Sequence, residues 1–450
     1  MKTLNWKQRL TISVVMCAAL SGCDRETKQA MRPHPQKSAN DSLAIVLAAH
    51  LGESRTDVEI RQRQEQIRAG KQTNIALERL GWLFVAKARE SFDPGFFKLA
   101  EQCALALDVR QPRCAEAMLL RAHMLQNLHR FNESESVARE LVTVRGLAFD
   151  FGVLGDALME QGKLAEAIEA YQKMADLKPD LHTQVRAAHI RWLKGDLDGA
   201  LEMMRLAACA ISPRDPDTAA WALTRLAGYE FHAGWFDNAR RSAASALEFR
   251  ADYPPALLLR GKILLAEDKS VEAVEALHLA EKQNPLPEYQ WLLADALIAA
   301  GQTDDAKLIE EKLRRHGAKT DPRTFALFLA TRGESPELAR RLAEEEMKSR
   351  GDVFTLDALA WAEAAAGNSA AANRGIECAL AEGTQDARLF LHAAILASRA
   401  GDREAAKNFS EKTSALRHLL LPSERKAFET LLAQLNETQN LAAAPAAEKF

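Results

Sequence analysis

The chain has 450 residues, of which 47% are hydrophobic and 27% charged, and its formal net charge at pH 7 is −3. Because the charge is close to balanced and no basic block occurs, the composition excludes an extended phosphate-binding surface, and we expect no nucleic-acid partner. The length exceeds what a single hydrophobic core usually organises, which favours either several domains or a chain of repeats.

The N-terminus has the pattern of an export signal. Its first residues include three basic side chains, Lys2, Lys7 and Arg9. An apolar run over residues 10–20 follows and is too short to span a membrane comfortably. The motif Leu20-Ser21-Gly22-Cys23 resembles the lipobox of bacterial lipoproteins, which implies a signal peptide over 1–22 and a lipid on Cys23. An ordinary signal peptide with a chance cysteine is the alternative.

The residue after Cys23 bears on localisation. Asp24 resembles the retention signal of enterobacterial inner-membrane lipoproteins, so we expect the periplasmic side of the cell envelope, at the inner rather than the outer membrane. Residues 23–40 are polar, contain two prolines and lack periodicity, which predicts a flexible tether. The stretch 41–72 predicts N-terminal capping helices.

A repeat dominates the rest of the chain. Alanine recurs at a spacing of 33 or 34 residues, with one step of 39, at Ala167, Ala200, Ala239, Ala273, Ala306, Ala339, Ala372 and Ala406. The long step contains the extra loop "SPRDPD" at 212–217, whose prolines and polar residues favour a turn. A fixed period of this length indicates an array of helical hairpins, in which each unit packs on its neighbours.

The unit from Ala148 to Leu181 resembles the tetratricopeptide repeat family. The match lies at Leu154, Gly155, Ala157, Gly162, Leu164, Ala167, Tyr171 and Pro179. The unit departs from the family at Met174, where alanine is usual. The resemblance implies an all-α, right-handed superhelical solenoid of about ten hairpins over 73–421.

The segment after the array predicts a closing helix. Residues 422–437 begin with Ser423 as the expected N-cap and would cover the last apolar face. Residues 438–450 predict a disordered tail.

Neither the cysteines nor any sequence motif points to a metal site or to catalysis. Cys103 and Cys114 lie close enough in the repeat pattern for a disulfide, although buried free thiols are the favoured alternative. There is no Cys-x-x-Cys pair, Walker loop, His-Glu-x-x-His or Gly-x-Ser-x-Gly motif, so we expect no metal, no cofactor and no enzymatic activity.

In the tetratricopeptide family, the first helix of each hairpin lines the concave surface. Carrying those positions over predicts a partner-binding groove formed by His182, His189, Trp192, Trp221, Phe231, His232, Lys262, Trp291 and Trp361. Core positions displaced by a one-residue register error are the alternative for each of them.

These patterns favour a non-enzymatic, membrane-tethered scaffold that binds a peptide or protein in its concave groove, with assembly of an envelope complex as one role. Two other functions remain open. One is an enzyme, or an enzyme subunit, with an unrecognised site, and the other is a carbohydrate-binding scaffold that stacks sugars on its tryptophans.

Overall fold

A computed structural model describes residues 39–443. Every regular element in this range is helical. The helices are α1 (Ala39–Val46), α2 (Arg55–Arg68), α3 (Thr73–Ser91), α4 (Gly95–Arg110), α5 (Ala115–Asn127), α6 (Phe131–Val144), α7 (Ala148–Glu160), α8 (Leu164–Leu177), α9 (Leu181–Leu193), α10 (Leu197–Cys209), α11 (Pro216–His232) and α12 (Phe236–Phe249). They continue as α13 (Pro254–Ala266), α14 (Ser270–Gln283), α15 (Pro287–Ala299), α16 (Thr303–Thr320), α17 (Pro322–Arg332), α18 (Pro336–Met347), α19 (Val353–Ala365), α20 (Ser369–Leu380), α21 (Ala387–Arg399), α22 (Arg403–Ala415) and α23 (Pro422–Ala443). The predicted signal peptide, Cys23 and most of the predicted tether lie outside the described residues, as do residues 444–450.

Helices α3 to α22 form ten consecutive hairpins, and each hairpin packs on the next. This arrangement confirms the all-α solenoid. Helices α1 and α2 pack on the first hairpin and α23 on the last units, so both ends of the array are covered. Cys103 and Cys114 are buried free thiols, which is the favoured alternative.

The hairpin of α7 and α8 explains why small residues recur. A Cβ atom at Gly155 would lie 2.4 Å from the ring of Tyr171, so only glycine lets the two helices cross at this distance. Ala167 is fully buried at the same crossing. Gly162 connects the helices with a φ of +74°, in the left-handed region that glycine adopts without strain. The fixed spacing of glycine and alanine thus reflects close packing inside each unit.

The closing helix α23 begins differently from the prediction. Ser423 lies inside its first turn, where its backbone N and Oγ donate to Asp295 Oδ2 at 3.0 and 2.5 Å. The backbone N of Leu421 donates to Glu424 Oε2 at 2.8 Å, so Glu424 supplies the cap. The N-cap prediction for Ser423 was therefore wrong, because the serine docks the helix on α15. The helix also continues to Ala443, beyond the expected end at 437.

Hairpins far apart in sequence also touch. The turns that join the two helices of each hairpin between α5 and α12 lie against loops in the second half of the array. These loops are the ones next to α19, α21 and α23. Their hydrogen bonds run from Asn132 Nδ2 to Lys348 O (3.0 Å), Gly351 N to Glu160 O (3.0 Å), Thr384 Oγ1 to Leu193 O (2.6 Å), and between His418 Nε2 and Phe231 O (2.9 Å). We call this row of contacts the seam. Since most of its acceptors are backbone carbonyls, the seam depends on how closely the two chain segments approach.

The tightest approach in the seam joins two glycines. A Cβ atom at Gly162 would lie 2.2 Å from the carbonyl oxygen of Gly351. Around this point, Arg350 Nε donates to Glu160 Oε2 at 2.6 Å, and the Arg350 guanidinium lies 5.1 Å from the ring centre of Phe131. Lys194 also forms an ion pair with Glu382. The seam therefore combines backbone contact with partly buried charge pairs.

Gly162→Ala tests the seam against a matched control. Gly301 has a similar φ of +80° but nothing within 4 Å of its Cβ position, so Gly301→Ala should cost only the backbone strain, about 1 to 2 kcal/mol. Gly162→Ala should destabilise clearly more, because it adds a clash with backbone. Urea unfolding of both variants measures the difference, and equal losses would argue against the seam.

Candidate functional site

Four of the predicted groove residues are buried. Trp291 is 2% exposed, Phe231 4%, His232 7% and Trp361 9%. Trp291 packs edge-on against Phe328, with 5.7 Å between ring centres. The expectation that these four side chains line an open groove is thus wrong, because first helices also supply the core between neighbouring hairpins.

The C-terminal segment covers the same part of the inner surface. His418 bonds to the carbonyl of Phe231, and Arg425 Nη1 donates to Leu265 O at 3.1 Å. Leu421 joins the hydrophobic cluster that contains Trp291 and Trp361. Residues 416–425 therefore occupy part of the inner surface of the middle repeats.

Lys262 is half-buried, and its positive charge is paired with a carboxylate of the same chain. Its Nζ donates to Glu288 Oε1 at 2.7 Å, and this charge holds the pKa of Glu288 below its ordinary value. The lysine therefore offers little uncompensated charge to a partner.

The other four predicted residues form one half-buried patch on α9 and α11. The rings of His182 and Trp221 are 6.2 Å apart, and His189 stacks on Trp192 at 5.6 Å. Trp192 also stacks on Phe354 across the seam, at 5.6 Å. The structure thus brings together His182, His189, Trp192 and Trp221, which we call the aromatic patch.

Arginines that the sequence analysis missed border the aromatic patch. Arg225 Nη2 lies 2.8 Å from His189 Nδ1 and 3.1 Å from Tyr229 Oη. Arg89 Nη2 lies 3.0 Å from His123 Nε2. The available signal was that Arg225 is the one charged residue in the stretch 219–228, since arginine is rarely buried without a partner.

The histidines beside these arginines are neutral at physiological pH. Burial, reinforced by the charge of Arg89, lowers the pKa of His123 to about 3. Burial, and then the charge of Arg225, lowers the pKa of His189 well below its ordinary value. A neutral imidazole nitrogen can accept a hydrogen bond, so Arg89 donates to His123 Nε2 and Arg225 to His189 Nδ1.

A cavity opens where the seam meets the aromatic patch. Its volume is about 490 Å³ including the open mouth. The lining includes Met159, Glu160, His189, Phe354, Cys378 and Glu382. The patch is therefore reachable from the seam side as well as along the interior.

Between residues 39 and 443, no three or more His, Cys, Asp and Glu side chains come together as metal ligands would. In the same range, no helix combines the length and apolar character needed to cross a membrane.

Comparisons with known proteins agree with the repeat. The profile of the tetratricopeptide repeat family matches residues 151–181, which span most of the α7 and α8 hairpin. No curated protein matches the chain. The chain is therefore an all-helical solenoid protein that contains a tetratricopeptide repeat.

The solved structures to which this chain is similar are distant in sequence. A tetratricopeptide repeat protein from Parabacteroides merdae is 18% identical, with a TM-score of 0.33, and the match covers 58% of this chain and 100% of that one. The human IFIT1 dimer with PPP-AAAA is 11% identical, with a TM-score of 0.45 and coverages of 84% and 94%.

The depressed pKa of His123 predicts a pH dependence of stability. Between about pH 6.5 and pH 3 the unfolded chain binds a proton at this histidine and the folded chain does not, so stability falls as the pH drops through this window. From pH 7 to pH 5 this contribution is about 2 kcal/mol. Urea unfolding of His123→Gln should show a weaker loss over this range, whereas the exposed-site control His278→Gln should behave like wild type. Identical pH dependence in His123→Gln would contradict the assignment.

Proposed function

We propose that the protein is a non-enzymatic scaffold that holds a protein or peptide partner on the aromatic patch of its interior. The observation that carries this proposal is the partial exposure of Trp221, whose ring lies 6.2 Å from that of His182 on the neighbouring first helix. A half-exposed indole on a rigid helix is a typical anchor of protein interfaces. The tetratricopeptide repeat in α7 and α8 supports the same role.

The patch is less suited to sugar stacking. Trp192 is stacked at 5.6 Å against both His189 and Phe354, at interplanar angles of 25° and 18°. These contacts cover much of the flat ring surface on which a sugar would lie. A partner that inserts side chains between the rings suits this geometry better, so we favour a peptide or protein.

We further propose that the scaffold is tethered to a membrane through a lipid on Cys23. The support is the sequence motif at 20–23 and the polar segment that follows it. With Asp24 after the cysteine, the array would face the periplasm from the inner membrane, where it would serve assembly of an envelope complex. The tether would allow the array to move relative to the bilayer while remaining attached.

Trp221→Ala tests the partner site. Loss of an interface anchor typically costs about 2 kcal/mol or more of binding. Because Trp221 is only half-buried, helicity and melting temperature should change little. We expect proteins crosslinked to the tagged full-length chain in intact envelopes to fall at least about tenfold in quantitative mass spectrometry.

Trp235→Ala is the matched control, since Trp235 is 40% exposed and lies before α12, outside the patch. It should retain the crosslinked proteins. An unchanged crosslinked set in Trp221→Ala, or a large drop in its melting temperature, would place the partner site elsewhere.

Cys23→Ser tests the tether. Without the thiol no lipid can be attached, so the variant should move from the membrane to the soluble fraction after detergent-free fractionation. Cys209→Ser, at an exposed thiol of the array, should leave the distribution unchanged. Equal membrane retention of Cys23→Ser and wild type would rule out this mode of attachment.

A further inference from the structure

The loop between α1 and α2, residues 47–54, exposes an apolar tip. Its residues Ala48, Ala49, Leu51 and Gly52 are exposed. Leu51 is 85% exposed, more than any other large apolar side chain among the described ones. We propose that this loop docks on a lipid bilayer, with Leu51 inserted below the headgroups. The inference rests on the proposed membrane tether and adds a second contact between the chain and the membrane.

Leu51 points into solvent because the residue before it is held in the core. His50 Nε2 donates to Asp57 Oδ1 at 2.8 Å, and the His50 ring packs edge-on against Phe96, with 5.9 Å between ring centres. Asp57 is also paired with Lys87 of α3 at 2.9 Å. Leu51 therefore stays in solvent unless this buried ion pair breaks.

The backbone of the loop is fixed as well. Gln64 Nε2, on α2, donates to the carbonyl oxygens of Val46 and Ala48, both at 2.8 Å. A single exposed leucine on a mobile loop is ordinary. On a fixed loop, the leucine keeps its apolar surface in water permanently, and little further ordering is needed when the loop binds. The tip is thus prearranged for an apolar phase.

Two guanidinium groups border the apolar tip. Arg61 Nη1 donates to Gly52 O and Arg68 Nη2 donates to Leu47 O, each at 2.6 Å. Because these partners are neutral carbonyls, both arginines keep their positive charge for lipid phosphates. An apolar side chain between two cations matches the bilayer interface, where phosphates lie above the acyl chains.

Electrostatic attraction alone is too weak to hold this loop on a membrane. Residues 47–71 contain five arginines and lysines and four aspartates and glutamates, an excess of one positive charge. The proposed tether supplies the rest. Residues 24–38 separate Cys23 from α1, and an extended chain of this length reaches at most about 55 Å. A lipid on Cys23 would therefore keep the loop at high local concentration beside the bilayer.

A protein partner suits the tip less well. Specific protein interfaces bury about 800 Å² on each partner. The exposed tip consists of only four small or apolar residues in one loop. A bilayer presents no fixed shape that the loop has to match, so insertion of one leucine is enough for contact.

A dye at position 49 measures the docking. The full chain carries Ala49→Cys labelled with nitrobenzoxadiazole, in a background of Cys209→Ser and Cys378→Ser that removes the exposed thiols of the array. In vesicles of phosphatidylethanolamine and phosphatidylglycerol, we expect the emission to shift to the blue and to be quenched by lipids with doxyl-labelled acyl chains. The matched control is Ala370→Cys, an exposed alanine of α20, whose dye should behave as in water.

Variants of the tip identify the groups that dock. Leu51→Glu, in the chain labelled at position 49, should lower the ratio of docked to undocked chains at least about tenfold, because the burial of a leucine is lost. Leu308→Glu, at a 59% exposed leucine of α16, should leave the ratio unchanged. Vesicles of phosphatidylcholine alone should also lower the ratio. Arg61→Gln combined with Arg68→Gln should remove this dependence on lipid charge at an unchanged melting temperature.

Two results overturn the proposal. One is a dye at position 49 that is as exposed to water as the dye at position 370 in both kinds of vesicle. The other is a blue shift that follows protein concentration without lipid, which would place a second copy of the chain on the loop.

Fractionation of Cys23→Ser separates this inference from the proposed tether. If Cys23→Ser is released while the dye at position 49 of the chain with Cys23 intact stays in water, the tether stands and the docking falls. If Cys23→Ser is retained and the dye is quenched by the doxyl lipids, the docking stands and the tether falls.

Discussion

The seam is the contact on which the interior of this protein depends. Repeats that pack only on their neighbours form a superhelix whose curvature is set by the small rotation between one repeat and the next. Here the hairpin turns of the first half also touch loops of the second half, through backbone hydrogen bonds such as Gly351 N to Glu160 O at 3.0 Å. Two glycines, Gly162 and Gly351, permit this distance. The seam therefore fixes the curvature and turns an open groove into an enclosed surface.

The inner surface has two parts, one that is filled by the chain itself and one that is still partly exposed. In the middle repeats, residues 416–425 fill the space, so that Trp291 and Trp361 belong to a continuous core. Around α9 and α11, the interior keeps partly exposed rings and Arg225, whose partners are neutral. Low solvent access disfavours the charged imidazolium, and this explains why the neighbouring histidines are held neutral.

The packing inside each hairpin could be predicted from the sequence, whereas the exposure and contacts of side chains on the inner surface could not. The spacing of Gly162 and Ala167 reflects contacts inside one hairpin, so the repeat predicted the helices and the all-α solenoid. The Trp291 ring is partly covered by Arg388, whose guanidinium lies 5.3 Å from the ring centre although it is 97 residues away in the sequence and reaches it only through the curvature of the array. The role of Ser423 was missed for the same reason, because its partner Asp295 belongs to a distant hairpin.

The most direct test of the seam is a distance measurement between its two sides. Asn132 and Lys348 are both exposed and joined by a hydrogen bond of 3.0 Å, so spin labels at Asn132→Cys and Lys348→Cys report the contact. The exposed thiols Cys209 and Cys378 would be replaced by serine to prevent labelling elsewhere. We expect a single short distance in pulsed electron paramagnetic resonance. A long, broad distribution would show an open superhelix and contradict the enclosed interior on which the proposed partner site rests.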